Sequence, residues 1–450
     1  MSEETTSGST DTEPKISSGY RAYVLFMLIV VYTFNFIDRQ IIGILAVPIQ
    51  EELQVSDTMM AAMRGLSFAL LYSTLGVPIA WMADRYSRVR IMTAALSVWS
   101  LMTMVCGMIA TPVQLFFARM GVGVGEAGGV APAYSIVSDY FPPEQRARAL
   151  AVYSFGIPIG SAVGIIFGGV IATLMDWRTA FLIVGGLGLL LAPIFLLTTQ
   201  EPKRGQFDKG VQPKPVGFGP VLSTLMKKKS FWFLSVGAAC SSMMGYGLFA
   251  WIPAFLVRSF GDALPEFFSW APAFLVPQGA PALLYAAYFY GFVVFVGGLI
   301  GIWMGGALAD GMGSKSRANY ARVPAFAFLA VAPFLILGMV SNSLMLIFFV
   351  MIIPTALSLA WLGPVLSAFQ HIVPSNMRAT ASAIFLLINN LIGIGLGDLL
   401  LGAMSDGLAS RFGEESLRYS ILCGVVFYLV AAVLLLMASK HLDNDWESEA

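Results

Sequence analysis

Apolar residues run along this chain in blocks of about twenty, and polar residues collect between the blocks. A hydrocarbon core about 30 Å thick takes roughly 20 residues of helix, and twelve such blocks start near residues 21, 58, 91, 112, 147, 179, 230, 281, 322, 343, 376 and 416. Six lie on each side of the stretch 199–229, which is rich in Lys, Pro and Gly and has no apolar run. The pattern predicts an all-α integral membrane protein with 12 transmembrane helices in two six-helix bundles, over 21–198 and 230–440. It also predicts a disordered tail over 1–20, a linker over 199–229 and a short tail over 441–450.

A small loop occurs twice: Phe141-Pro-Pro-Glu-Gln-Arg-Ala-Arg-Ala149 and Val373-Pro-Ser-Asn-Met-Arg-Ala-Thr-Ala381, aligning Pro142 with Pro374 and Arg146 with Arg378. Each copy follows one apolar block and opens another, so the repeated unit is a set of membrane helices. Two related halves point to a transporter.

Composition agrees with a membrane protein, because 57% of residues are hydrophobic and only 12% are charged, against roughly 25% charged in soluble chains. Lys plus Arg balances Asp plus Glu at 26 each, and nothing suggests nucleic acid. With both termini inside, nineteen Lys and Arg fall in inner segments and only Arg178, Arg258, Arg411 and Arg418 in outer ones. That bias sets both termini in the cytoplasm, and a bacterial inner membrane is the expected location. The first apolar block reads as a retained anchor. Cys106, Cys240 and Cys423 fall in separate helices, so neither a disulfide framework nor a metal site is suggested.

Catalysis is not expected. The only histidines are His371 and His441, and there is no zincin His pair, nucleophile elbow or phosphate-cradling loop. No cofactor is called for. A channel would also use charged pore residues, but duplicated bundles with paired gates favour alternating access.

The paired gates are Ala80-Trp-Met-Ala-Asp84-Arg85-Tyr-Ser-Arg88-Val-Arg90 after the second helix and Gly306-Ala-Leu-Ala-Asp310-Gly-Met-Gly-Ser-Lys315 after the eighth. A carboxylate at a helix end followed by a tight basic loop can bond across to a neighbouring helix and be released when bundles rock. This resembles the loop motif of the major facilitator superfamily, departing from it at Ala80, Ser87 and Gly311. A plain positive-inside loop is the competing reading. Gly156, Gly160, Gly164 and Gly168, then Gly297, Gly301 and Gly305, then Gly393 and Gly397 recur at four-residue spacing. They mark close helix contact and fit either ordinary packing or a rocking interface.

Asp38, Arg39, Arg119 and Glu126 lie inside apolar blocks, where an ionised group is costly unless it is paired or faces water. Arg119 and Glu126 are two turns apart, about 10 Å along one face. At 1.5 Å per residue, Asp38 lies roughly 27 Å from the inner end of its helix, Glu126 roughly 21 Å and Arg119 roughly 31 Å. Asp38 is therefore expected to pair with Arg119, leaving Glu126 as the proton carrier. Arg39, next to Asp38, is expected to point elsewhere and snorkel to the outer interface. A static ion network is the alternative. Asp398 is a further candidate, placed near the outer end of the eleventh helix. Asn35, Arg39, Asn389, Asn390, Tyr246, Phe249 and Trp251 are candidate cavity residues, with packing as the competing reading for the aromatic ones and hydrogen bonding between helices for Asn389 and Asn390. The segment 261–280, with Pro265, Pro272 and Pro277, reads as a lid or a re-entrant piece.

Asn35-Phe-Ile-Asp38-Arg39-Gln, Arg119-Met-Gly-Val-Gly-Val-Gly-Glu126-Ala, Ser138-Asp139-Tyr-Phe-Pro-Pro-Glu-Gln-Arg146 and Asp176-Trp177-Arg178-Thr-Ala-Phe resemble spinster-type transporters of the major facilitator superfamily. The likeness covers most of the first half, while the second matches mainly in helix pattern. It implies the major facilitator fold, a monomer, alternating access, a cavity lined by helices one, four, seven and ten, and lysolipid or sphingoid-phosphate substrates. It also implies that Asp38, Arg119 and Glu126 face that cavity. The expected function is proton-coupled transport of an amphipathic anionic lipid, within and against membrane lipid. A proton-coupled or uncoupled carrier of another organic anion or drug is the alternative.

Overall fold

The computed structural model describes residues 17–83, 85–205, 207, 218–272, 276–277, 279–313, 316–374 and 377–447. Among the described residues there are helices and no strands. Twelve membrane-crossing segments follow one another: α1 (Ser18–Ile44), α2 (Asp57–Ala83), α3 (Arg88–Cys106), α4 (112–140), α5 (143–174), α6 (Trp177–Thr198), α7 (Lys229–Phe260), α8 (Ala282–Gly313), α9 (Asn319–Val340), α10 (344–371), α11 (378–412) and α12 (Ser416–Ser439). Twelve crossings return the chain to the end at which it started, called below the termini end, opposite the far end.

Short polar caps set several helix starts. Ser17, Ser56, Ser87, Asp176 and Ser343 each accept a backbone N–H from the first turn of α1, α2, α3, α6 and α10. Thr111 and Gln114 form a reciprocal capping box at the start of α4, with Pro112 in its first turn. Three segments are interrupted where the site lies. α4 breaks at residues 127–129, directly after Glu126, and α2 and α11 carry π-helical turns at Ala62–Leu66 and Leu391–Leu396.

The glycine stripes pack helices within each half. A Cβ on Gly160 would stand 2.4 Å from the Thr33 carbonyl oxygen and one on Gly164 2.8 Å from that of Ile37, so the α5 stripe seats that helix on α1. The related stripe of α11 seats it on α7, with Gly393 against Ser242 and Gly397 against Met243. Gly297, Gly301 and Gly305 of α8 meet backbone oxygens of Ile352, Ala356 and Ala360 on α10. These close approaches are the helix contacts the stripes were expected to mark. Contacts between the halves come from other positions: Gly65 against Ile394, Gly402 against Asp57, and Gly169 against Ala287.

The expected linker contains a helix, Phe218–Lys227, whose Val221 and Leu225 are fully buried. Past α12 the chain is tied to the second half. Trp446 stacks on His371 at 4.6 Å, and the Ser230 N–H donates to Asp445 at 2.8 Å. Within 261–280, Phe267 and Phe268 pack on Phe289, Phe348 and Tyr285 at the far ends of α8 and α10.

Substituting Gly160→Ala forces α5 off α1 and lowers stability by about 1–3 kcal/mol, read as a lower melting temperature of the detergent-purified protein. Gly186→Ala, whose Cβ meets nothing within 4 Å, leaves the melting temperature unchanged or raises it.

Candidate functional site

The run Arg119-Met-Gly-Val-Gly-Val-Gly-Glu126 draws α4 deep between its neighbours. A Cβ on Gly123 would stand 2.5 Å from the Phe68 carbonyl oxygen of α2, and one on Gly125 2.4 Å from the Trp99 nitrogen of α3. Both charges flanking the run are thereby buried, with Arg119 at 1% and Glu126 at 0% exposure.

Two ion pairs join α1 to α4. Arg119 Nη1 lies 3.4 Å from Asp38 Oδ1, the partners the depth estimate indicated, and Thr103 of α3 donates its hydroxyl to the same carboxylate. Arg39 Nε lies 2.5 Å from Glu126 Oε2. This corrects the expectation that Arg39 snorkels outward. Its guanidinium stays inside, 4.6 Å from the Tyr72 ring and 5.0 Å from that of Phe68, because a carboxylate and aromatic faces replace the water it would otherwise seek. Hydrogen bonding remains incomplete: Arg39 Nη2, Arg119 Nε and Glu126 Oε1 are buried with no partner among the described residues.

A third pair crosses between the halves. Arg64, on the π turn of α2, grips Asp398 of α11 with both arms of its guanidinium, with Nε 2.6 Å from Oδ2. It also donates to the Ala250 carbonyl at 3.1 Å and lies over the Trp251 ring at 4.4 Å. The sequence reading left Arg64 out, although a lone arginine in an apolar block was the available signal.

These groups surround one small cavity, lined by Arg39, Gln40, Arg64 and Arg119 on one side and by Tyr246, Phe249, Ile394 and Asp398 on the other. Its lining residues come from α1, α2, α4, α7 and α11. The expectation of α10 in the lining is corrected: its place is taken by the π turns of α2 and α11, which offset the helix register and present Arg64 and Ile394 inward. Three arginines and one carboxylate are among the cavity's lining residues. Trp251 supports from behind, donating its indole N–H to the Asp398 carbonyl at 3.3 Å. Asn35 lines a separate, very small pocket with Tyr32, Trp99, Gly129 and Tyr153. Asn389 accepts from Ser242 at 2.9 Å, an α7–α11 contact inside one half, and neither it nor Asn390 lines the cavity.

The far end is fastened across the halves. Arg258 of α7 clasps Asp57 of α2 at 2.6 and 2.7 Å, Ser405 donates to Asp57 at 2.7 Å, and Asp406 caps α2 through the Thr58 N–H at 2.8 Å. At the termini end Arg88 gathers its own half, reaching Asp139, the Ser135 hydroxyl, the Pro202 carbonyl and, at 2.7 Å, Glu201. Arg85 stacks on Trp81 at 3.9 Å and Arg90 is exposed. Asp84 lies outside the described residues, as does the side chain of Asp310.

A halved, α-helical bundle with a central polar cavity, fastened at one end, is the architecture of an alternating-access transporter, and residues 28–397 match the family model of the Major Facilitator Superfamily. The chain belongs to the major facilitator superfamily. Within that superfamily it is spinster-like. It is 31% identical to an MFS-type efflux pump of Mycolicibacterium smegmatis over 94% of each chain. It is 27% identical to protein spinster homolog 1 of Bos taurus, over 93% of this chain and 81% of that one. A crystal structure of a bacterial homolog of the human lysosomal transporter Spinster, inward-facing and unoccupied, superposes with a TM-score of 0.82 at 32% identity, covering 97% of this chain and 100% of that one. The occupied inward-facing form of that homolog superposes with a TM-score of 0.78. The candidate site of this superfamily member lies where its two halves meet, and Arg258 and Asp57 join the halves at the far end.

Removing one member of a buried pair leaves an uncompensated charge that costs about 3–5 kcal/mol. Arg119→Gln should therefore destabilise the protein by that order, and Asp38→Asn added to it should restore part of the loss, both read from melting temperatures. Outside the membrane segments, burial works against ionisation of Glu201, but the Val89 N–H and the Arg88 and Ser87 side chains outweigh it and hold the carboxyl below its ordinary 4.5. A lowered folded value means that this stabilisation is complete above about pH 4.5 and is lost as pH falls through the folded value. Glu201→Gln should flatten the acid limb of a melting-temperature profile against pH.

Proposed function

We propose that this transporter works by alternating access, couples to protons, and moves an amphipathic anion such as a lysophospholipid or a sphingoid phosphate. One observation carries the reading: Arg39, Arg64 and Arg119 line a single cavity against one lining carboxylate, Asp398, with Tyr246 and Phe249 beside them. Guanidinium forks suit phosphate and carboxylate groups, and the aromatic side suits an apolar tail.

Glu126 is the proton carrier in this scheme. It holds Arg39 while ionised, and protonation cancels the charge that holds Arg39. An anion can then take the freed guanidinium, so that proton and cargo share one arginine. Asp38 and Arg119 form the companion switch, steadied by Thr103. The two loops carrying Asp84, Arg85, Arg88 and Arg90, and Asp310, are assigned to the cytoplasmic gate, with both termini in the cytoplasm of a bacterial plasma membrane. The working unit is a monomer.

The likeness to the mycobacterial efflux pump favours a second reading, in which the cargo is another organic anion or a drug. Proton flux into liposomes holding the purified protein tests both. Addition of a lysophospholipid panel should drive flux in the wild type and none in Glu126→Gln. Equal flux in the two proteins would remove Glu126 from coupling, and drug-driven flux without a lysolipid response would select the second reading.

A further inference from the structure

Arg64 differs from the other two arginines of the cavity. Arg39 and Arg119 take their carboxylates from the same half of the protein, whereas Arg64 takes Asp398 from the opposite half. Its partners Ala250 and Trp251 also belong to that opposite half.

We infer that Arg64 is a cargo-binding residue and that Asp398 is a built-in stand-in for the cargo's anionic group, occupying Arg64 while the site is empty. This inference rests on the reading of the cargo as an anion. Four observations carry it. Both partners line the same cavity. The two-armed grip of Arg64 on Asp398 is the arrangement a phosphate or carboxylate would take on the same fork. Arg64 lies on a π turn of α2 and Asp398 just past the π turn of α11, and such turns recur at functional sites. Finally, α2 meets α11 backbone to side chain here, since a Cβ on Gly65 would stand 2.8 Å from the Ile394 carbonyl oxygen and 3.0 Å from Asp398 Cβ. The grip therefore sits where the two halves touch.

The consequence is a link between loading and opening. When the far end opens with the site empty, Arg64 and Asp398 part, leaving two unpaired charges in a region of low dielectric, which disfavours that state. An anion on Arg64 replaces Asp398 as its partner, and the cost of separating the halves falls. Cargo class and conformational change are thereby selected by one residue.

The two single neutralisations separate this from a strut. Binding of radiolabelled oleoyl-lysophosphatidate to the protein in a neutral detergent is measured by equilibrium dialysis. Far-end separation is followed by electron-spin distance measurement between labels at Glu51→Cys and Ser410→Cys, both exposed positions, in a background lacking Cys106, Cys240 and Cys423. Asp398→Asn vacates Arg64 and should bind about tenfold tighter, while Arg64→Gln should bind about tenfold weaker. Both should lengthen the far-end distance, because both break the grip. A strut with no cargo role predicts lengthening in both variants without opposed changes in affinity. Weaker or unchanged binding by folded Asp398→Asn, checked again with Asp398→Ser and with gel filtration as the folding control, overturns the inference and leaves the anionic-cargo reading standing. Binding by none of the wild type, Asp398→Asn and Arg64→Gln overturns both.

Discussion

Charge in a low-dielectric interior has to be matched, and six ionisable groups at the centre of this bundle organise what surrounds them. Asp38, Arg39, Arg64, Arg119, Glu126 and Asp398 are all nearly or fully enclosed, and each finds an opposite charge. Isolated, any one of them would be costly. The glycine run of α4, the breaks in α2, α4 and α11, and the aromatic faces of Phe68, Tyr72 and Trp251 all serve to bring these partners together without water.

The pairing is uneven, and the unevenness gives the site its chemistry. Asp38 and Glu126 are not among the residues lining the cavity, whose lining includes three arginines and one carboxylate. A net-neutral cluster therefore shows a cationic face to whatever enters. The same logic separates the two ends of the molecule. Arg258 and Asp57 fasten the far end across the halves, whereas Arg88 at the termini end bonds to Asp139 and Glu201.

The two halves are packed alike. Equivalent helices pack by equivalent glycine seats, α5 on α1 and α11 on α7, with backbone against backbone. Close-packed seats transmit motion instead of absorbing it. Arg64–Asp398 and Asp57–Arg258 lie between the halves.

The sequence by itself determined the class of the protein: twelve apolar blocks, a repeated loop and a charge bias follow from the thickness of a bilayer and the cost of exposed charge, which act locally. Its motifs also pointed to Asp38, Arg119 and Glu126, because an ionised residue inside an apolar block is conspicuous wherever it occurs. Which charges meet was another matter. Depth arithmetic located Asp38 against Arg119, but helix rotation, set by packing between segments far apart in sequence, turned Arg39 inward onto Glu126. Arg64 and Asp398 lie 334 positions apart, on helices whose π turns no apolar pattern announces, and they meet only once the two halves are assembled. The far-end clasp of Asp57 and Arg258 depends on that assembly as well. Local chemistry named the residues, and only tertiary packing decided their partners, since a pair energy depends on distances that one dimension does not contain.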